Sequence, residues 1–451
     1  MKYLILASAV LLSASLEAAR PVARWDVIPY QRVSKNFKAG VVAFHEKGVK
    51  VEFTVNGKVV ATAEKPEFNG RTKVCEHFFV FEAAKYSDGP VTLGATAITE
   101  GEQPYKLQDI VIYANSKKTL GSRKASWVDP VNGNDFAEGT KDAPVKTMKQ
   151  AVNRAGDGGT VNLMAGDYQA KLIGGGKDRK YWTLIQPAPG VDRAQVRFLG
   201  GRTGTDKLHF KNVEFYCNVS DGYGTVIMGE SGETSAWFDN CKIYNKPGRL
   251  AGSTIPFGNK LKAYVTGGVT TSISSGPHAE LVRGHEITSI AGDAFYGSDM
   301  LVVNTTVSDI DADGTSTEPD LHRAFAAGQD WVHDVILYNI EATGIKGRAF
   351  SGTRFRDSAI VNVTVDTDTG TTVHPQFFGP VENVLYVNVD VKEQTWQWMN
   401  KKSGRANFAP TDVRLLGVRC AGFTGYDVTD GSQGLTIAAD YDILFFPKGE
   451  K

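Results

Sequence analysis

Apolar and polar residues follow three different rhythms along the chain. From Trp25 to about Asn115 they alternate in short runs: VVAF, then VKVEFTVNGKVVATA, HFFVFEA and VTLGATAI. Period-two alternation is the mark of half-buried strands, and Asn56-Gly57 between two such runs predicts a tight hairpin. Around Thr147 to Ala155 the rhythm becomes helical, with Met148, Ala151, Val152 and Ala155 on one face. Gly156 and Gly158 end it, and Thr160–Met164 reads as a strand again. Beyond that point one position recurs as Asn or Gly, with apolar or small residues three and six places on: Asn212, Asn240, Gly267, Gly284, Asn304, Asn339, Asn362, Asn388 and Gly417. The intervals are 28, 27, 17, 20, 35, 23, 26 and 29 residues. A register of this length predicts a solenoid, whose successive coils share one core. Asn tolerates the left-handed turn that Gly adopts freely, and stacked Asn side chains can bond from coil to coil.

A second repeat lies within the same register. Gly292-Asp-Ala-Phe-Tyr-Gly, His322-Arg-Ala-Phe-Ala-Ala-Gly, Gly347-Arg-Ala-Phe-Ser-Gly and His374-Pro-Gln-Phe-Phe-Gly align Phe295, Phe325, Phe350 and Phe377, which predicts an inward aromatic ladder. Strand alternation then turns His322, Ala324 and Ala326, Ala349 and Ser351, and His374, Gln376 and Phe378 outward as a shallow groove.

Composition narrows the picture. The 451 residues carry 50 Lys+Arg against 50 Asp+Glu, so no bulk charge draws the protein to nucleic acid or membranes. Hydrophobic residues make up 41%, enough for a large core. Residues 1–19 combine Lys2, an apolar run from Leu4 to Leu12 and a small-residue end, and read as a signal peptide. No later stretch approaches the ~20 apolar residues of a membrane span, so the expected product is secreted, extracellular, on the cell surface or periplasmic. Four cysteines are no disulfide framework; Cys217 and Cys241, about one coil apart, are either stacked thiols or a disulfide. Asn218, Asn304 and Asn362 match glycosylation acceptors, and for the last two the ladder role is preferred. The expected organisation is an immunoglobulin-like β-sandwich over 20–117, a polar linker over 118–125, and a solenoid over 126–451. The sandwich reads as a spacer or accessory module.

The start of the third region carries a specific signature: Asp129-Pro130, Gly133, Asp135, Gly139-Thr140, Ala143-Pro144, Thr147, Ala151, Gly156-Asp157, Val161, Leu163, Gly166 and Tyr168. It resembles the opening of right-handed parallel β-helix proteins of the pectate-lyase-like superfamily. That resemblance implies a helix capping the first coil and an all-β solenoid, and says little about chemistry. The Asn-Thr-Asp, paired-Asp and Gly-His-Gly motifs of pectin hydrolases on this fold are missing, and the calcium and arginine signatures of pectate lyases do not map residue by residue.

Candidate chemistry gathers in the longest interval. The run Asp309, Asp311, Asp313, Gly314 and Asp320 has calcium-loop spacing, although the last ligand is Asp where a bidentate Glu is usual, and a solvated acidic turn is the plainer reading. No organic cofactor is implied. His322 is placed to move a proton, and Asp320 to orient it or bind metal. Arg323 and Arg348 align on neighbouring coils with Asp293 before them, as an anion site or an internal salt-bridge row; Lys346, Arg354 and Arg356 add positive charge. The expectation is therefore an enzyme cleaving an acidic polysaccharide by β-elimination. Its catalytic residues would be His322, Arg323, Arg348, Asp320 and Lys346, with Asp293, Tyr296, His374, Gln376 and Trp396 against the sugar. A glycoside hydrolase using carboxylates among Asp293, Asp313, Glu318 and Asp320, or a binding protein that only stacks sugars, stays open.

Overall fold

The computed structural model describes residues 20–120, 124–168, 179–199, 202–203, 206–217, 228–229, 234–245, 253–255, 261–310, 319–324, 330–367, 376–377, 379–392, 394–398, 411–424 and 435–438. The expected signal peptide, Asn218, Asp311, Asp313, Glu318, Phe325, Ala326, His374 and Phe378 lie outside them. No helix among the described residues is long and apolar enough to cross a membrane.

Residues 22–114 form two sheets. Strands Val22–Trp25, Asn36–Phe44, Val74–Glu82 and Glu67–Asn69 make one, and Lys50–Val55, Gly89–Ile98 and Ile110–Ala114 lie in the other. Their inward residues share one core, in which Val41, Phe53, Phe81, Leu93 and Ile112 are buried. Asn56, at φ 50°, makes the predicted hairpin turn between Lys50–Val55 and Lys58–Ala63.

From Ala125 onward the described residues form a right-handed parallel β-helix. Helix Met148–Ala155 opens it, with Thr147 accepting the Gln150 amide as its cap, and closes at Gly156, φ 68°. Its apolar stripe of Met148, Ala151, Val152 and Ala155 joins the core of the first coil. Two faces run nearly the length of the solenoid. The first includes Leu208–Lys211, Thr234–Asp239 and Leu261–Thr266; the second includes Glu214–Cys217, Lys242–Asn245 and Val269–Ile273. Later strands such as Met300–Ile310 and Val335–Ile345 run through both faces. A third face consists of Phe295–Tyr296, Asp320–Ala324, Arg348–Gly352, Gln376–Phe377, Thr395–Trp398 and Gly422–Thr424.

The corner between the first two faces is the recurring Asn/Gly position. All nine of its residues have φ between 49° and 63°. Asn240 donates to Asn212 at 2.8 Å; further along, Asn339 donates to Asn304, Asn362 to Asn339 and Asn388 to Asn362, at 3.2, 3.0 and 2.9 Å. Gly267 and Gly284 separate the two ladders. Ala at position 362 would lose two amide bonds and force a Cβ into left-handed backbone, so Asn362→Ala should cost about 3 kcal/mol in a urea melt. Asn362→Gly should cost less, because only the bonds go.

The outer side of the first face is apolar because the sandwich covers it. Tyr264, Leu301, Val303, Ile336, Tyr338, Val361 and Val387 pack against Val22, Ile28, Val42, Phe44 and Val74. Arg24 donates to the Asp299 carbonyl at 2.6 Å, Trp182 to the Pro29 carbonyl at 2.6 Å, and Asn304 to the Lys73 carbonyl at 2.9 Å. The sandwich is thus docked along the solenoid rather than held off it as a spacer.

The core differs from expectation in its register, and two alternatives are decided. Phe295 pairs with His322, and His322 with Phe350, while Phe377 pairs with Gly352. The coils here advance by 27 and 28 residues, so the similar Arg-Ala-Phe segments are offset by three. A parallel ladder selects the register that buries the best set of side chains, and local likeness of sequence does not set it. Trp396, a candidate sugar contact for which core filling is the preferred reading, is fully buried edge-on to Tyr386 at 4.9 Å and fills the core. Cys241 is a free buried thiol whose Sγ lies 3.4 Å from the Phe210 carbonyl, so it forms no disulfide with Cys217.

Candidate active site on the third face

The third face brings together Asp293, Tyr296, Asp320, Arg323, Arg348 and Ser351. Asp293 ends the approach to the face, where its Oδ1 accepts the Asp320 amide at 3.0 Å. Tyr296 stands opposite Arg323 and Arg323 opposite Ser351, while Asp320 stands opposite Arg348. The expected Asp/Arg/Arg row is therefore replaced by two separate ion pairs.

The first pair is internal. Arg348 donates through Nε to Asp320 Oδ1 at 2.7 Å and through Nη2 to Oδ2 at 3.3 Å, and the Ser351 hydroxyl also bonds Oδ2. Asp320 is fully buried and Arg348 nearly so. Burial raises the Asp320 pKa above its ordinary value, with Arg348 and Ser351 pulling the other way. The second pair reaches solvent. Arg323 Nη1 lies 3.6 Å from Asp293 Oδ2, with side chains 28% and 13% exposed. Burial, then the neighbouring Asp320 charge, push the Asp293 carboxyl up to about 7, against the pull of Arg323. Burial also raises the Tyr296 phenol, so it stays protonated at neutral pH.

The expected proton carrier is elsewhere. His322 is 1% exposed, its ring 5.6 Å from Phe355, and burial pushes its pKa down to about 4. It is a neutral core residue, because the three-residue offset puts it where Phe325 was expected. Lys346 is exposed at the corner two residues before Arg348. Gln376 lies on the face. The calcium reading meets an obstacle at Asp320, whose two oxygens are taken by Arg348 and Ser351; a cation there would have to displace a buried arginine. Asp309 is exposed at a left-handed corner, φ 53°. The described donors do not fit the calcium set. A different trio, Asp299, His333 and Asp334, has ligand-distance spacing, but Arg24 and Arg20 already pair its two carboxylates at 3.0 and 2.9 Å.

Comparison with known proteins adds the following. Residues 131–174 match the family described as a protein of unknown function, DUF1565. A search of curated proteins finds no match. Among solved structures the chain is similar to a GH136 lacto-N-biosidase from Eubacterium ramulus, at 12% identity and TM-score 0.35, with 71% of this chain and 68% of that one covered. It is similar to the PL6 family alginate lyase AlyGC at 12% identity and TM-score 0.35, covering 65% and 52%. A rhamnogalacturonan lyase matches at 11% identity and TM-score 0.23, covering 70% and 87%. These likenesses bear on the fold alone.

Proposed function

We propose that this protein is an exported carbohydrate-active enzyme that cleaves an acidic polysaccharide by β-elimination on the third face. The observation that carries this reading is the Asp293–Arg323 pair: a carboxyl tuned to about 7 beside a partly exposed guanidinium. Elimination needs a cation on the uronate carboxylate and a base for the C5 proton, and these two groups match that need. Arg323 holds the carboxylate and stabilises the charge that develops on it. Asp293 takes the C5 proton, the freed electron pair forms the C4–C5 double bond, and the C4–O bond breaks. The Tyr296 phenol protonates the leaving oxygen. Lys346 adds positive charge at the edge.

Hydrolysis is the weaker reading, because it needs two carboxyl groups about 5–9.5 Å apart that both reach the glycosidic bond. Asp320, next to Asp293, is fully buried and doubly bonded to Arg348.

Incubation with a panel of uronate polysaccharides should produce the ultraviolet absorbance of the unsaturated product. Asp293→Asn and Arg323→Ala should each lower turnover about a hundredfold or more with the melting temperature retained. As base, Asp293 must be ionised, so the rate should rise as pH increases through about 7. New reducing ends without the absorbance would establish hydrolysis instead. Retention without turnover would leave only binding.

A further inference from the structure

A cavity of about 320 Å³ lies at the junction of the sandwich and the early coils. Its volume suits a small ligand. Its walls come from distant segments: Tyr30 and Arg32 from the sandwich, Tyr181 and Trp182 from the approach to the second coil, and His209, Lys211 and Trp237 from the first face. The rings of His209 and Trp237 stack 3.8 Å apart and 3° from parallel, with Trp182 set on edge to Trp237 at 6.1 Å. The Arg32 guanidinium lies over the Tyr181 ring at 4.1 Å. Gly158 makes room for it, since a Cβ there would meet Arg32 Nη2 at 1.5 Å. Tyr30 is held at φ 62°, a conformation unusual for a bulky side chain and often found at ligand sites. Arg32, Lys211 and His209 line the cavity and, among the described residues, no carboxylate does; Asp239 stands beside it, its Oδ2 3.1 Å from Lys211 Nζ and 3.4 Å from His209 Nε2.

Aromatic walls suit the apolar side of a sugar ring, and a lining that holds Arg32 and Lys211 but no carboxylate suits an anion. We propose that this cavity is a second, non-catalytic saccharide site that takes one hexuronate unit, with the ring among the Tyr30, Tyr181 and Trp237 side chains and the carboxylate between Arg32 and Lys211. The choice of an acidic sugar rests on the elimination reading above, while the site itself is read from its own walls.

Calorimetry with a hexuronate tetrasaccharide tests it, using the intact protein carrying Arg323→Ala so that the ligand survives and the third face is weakened. The expected result is one binding event that weakens with added salt, and about tenfold or weaker binding of a neutral hexose tetrasaccharide. Trp237→Ala and, separately, Lys211→Gln should each raise the Kd about tenfold. Lys211 is 43% exposed, and its partner Asp239, at 3.1 Å, keeps its contacts with His209 and Thr266 when Lys211 is replaced, so Lys211→Gln leaves the fold intact if Trp237→Ala does not. Absence of binding, equal binding of the neutral sugar, or binding that survives Lys211→Gln would overturn the proposal. Loss of the elimination reading shows separately, as absence of unsaturated product from the unaltered protein.

Discussion

Replacing Arg348 by alanine is expected to destabilise the protein by about 3–5 kcal/mol, because it leaves the Asp320 carboxylate buried without its partner. Asp320 is fully buried and its oxygens are held by Arg348 and Ser351, so the guanidinium is its main compensation for lost solvent. Burial would then drive Asp320 to take up a proton, and the neutral acid would still lack two donors. Removing both charges is a different change. Asp320→Leu with Arg348→Met should recover most of the loss, since well-packed apolar groups often equal a buried ion pair. Urea denaturation of the single and double variants checks this. A loss under about 1 kcal/mol for Arg348→Ala would show that the pair is solvated. The same experiment separates roles: Arg348 should govern stability, while Arg323, on the solvent side, should govern turnover.

The second large effect is the loss of one buried carboxyl group's contribution to stability as pH rises through the neutral range. Glu76 is 1% exposed in the sandwich wall that faces the solenoid, and a Cβ on Gly40 would occupy the space of its carboxyl group. Burial, then the charge of Asp26, push its pKa up to about 8, against bonds from Asn69 and Thr72 and the charge of Arg71. The folded protein therefore holds a proton on Glu76 that the unfolded chain gives up near its ordinary value of 4.5. Its contribution is fully present below pH 4.5 and is lost as pH rises to about 8, because over that window the unfolded state binds fewer protons. Glu76→Gln keeps an acceptor for Asn69 and Thr72 and never ionises. Its melting temperature should gain on the parent's by several degrees between pH 5 and 8, with the largest gap at the alkaline end. Parallel curves for the two proteins would show that Glu76 is ionised in the fold.

Much of the architecture was legible because it follows from local rules. The Asn/Gly series from Asn212 to Gly417 identified a corner that needs left-handed backbone, and every one of those residues adopts it. Thr147, Gly156 and the stripe between them defined the capping helix. Asn56-Gly57 defined a hairpin. In each case the responsible interactions lie within a few residues or one coil, so the pattern and the geometry are the same information.

The candidate site was legible only in composition. Asp293, Tyr296, Asp320, Arg323 and Arg348 could be named, but their partners depend on the register between coils, and a three-residue offset exchanged them. Arg348 met Asp320 inside, Arg323 met Asp293 outside, and His322 entered the core. Register is decided by the whole set of buried side chains and ladder bonds, which no single repeat contains. The junction cavity left no trace in the sequence, because Tyr30, Tyr181 and Trp237 become neighbours only when the sandwich docks. The chain by itself determined its coils and corners through short-range backbone preference; which charges are buried, and which face a ligand, was decided by packing between distant segments.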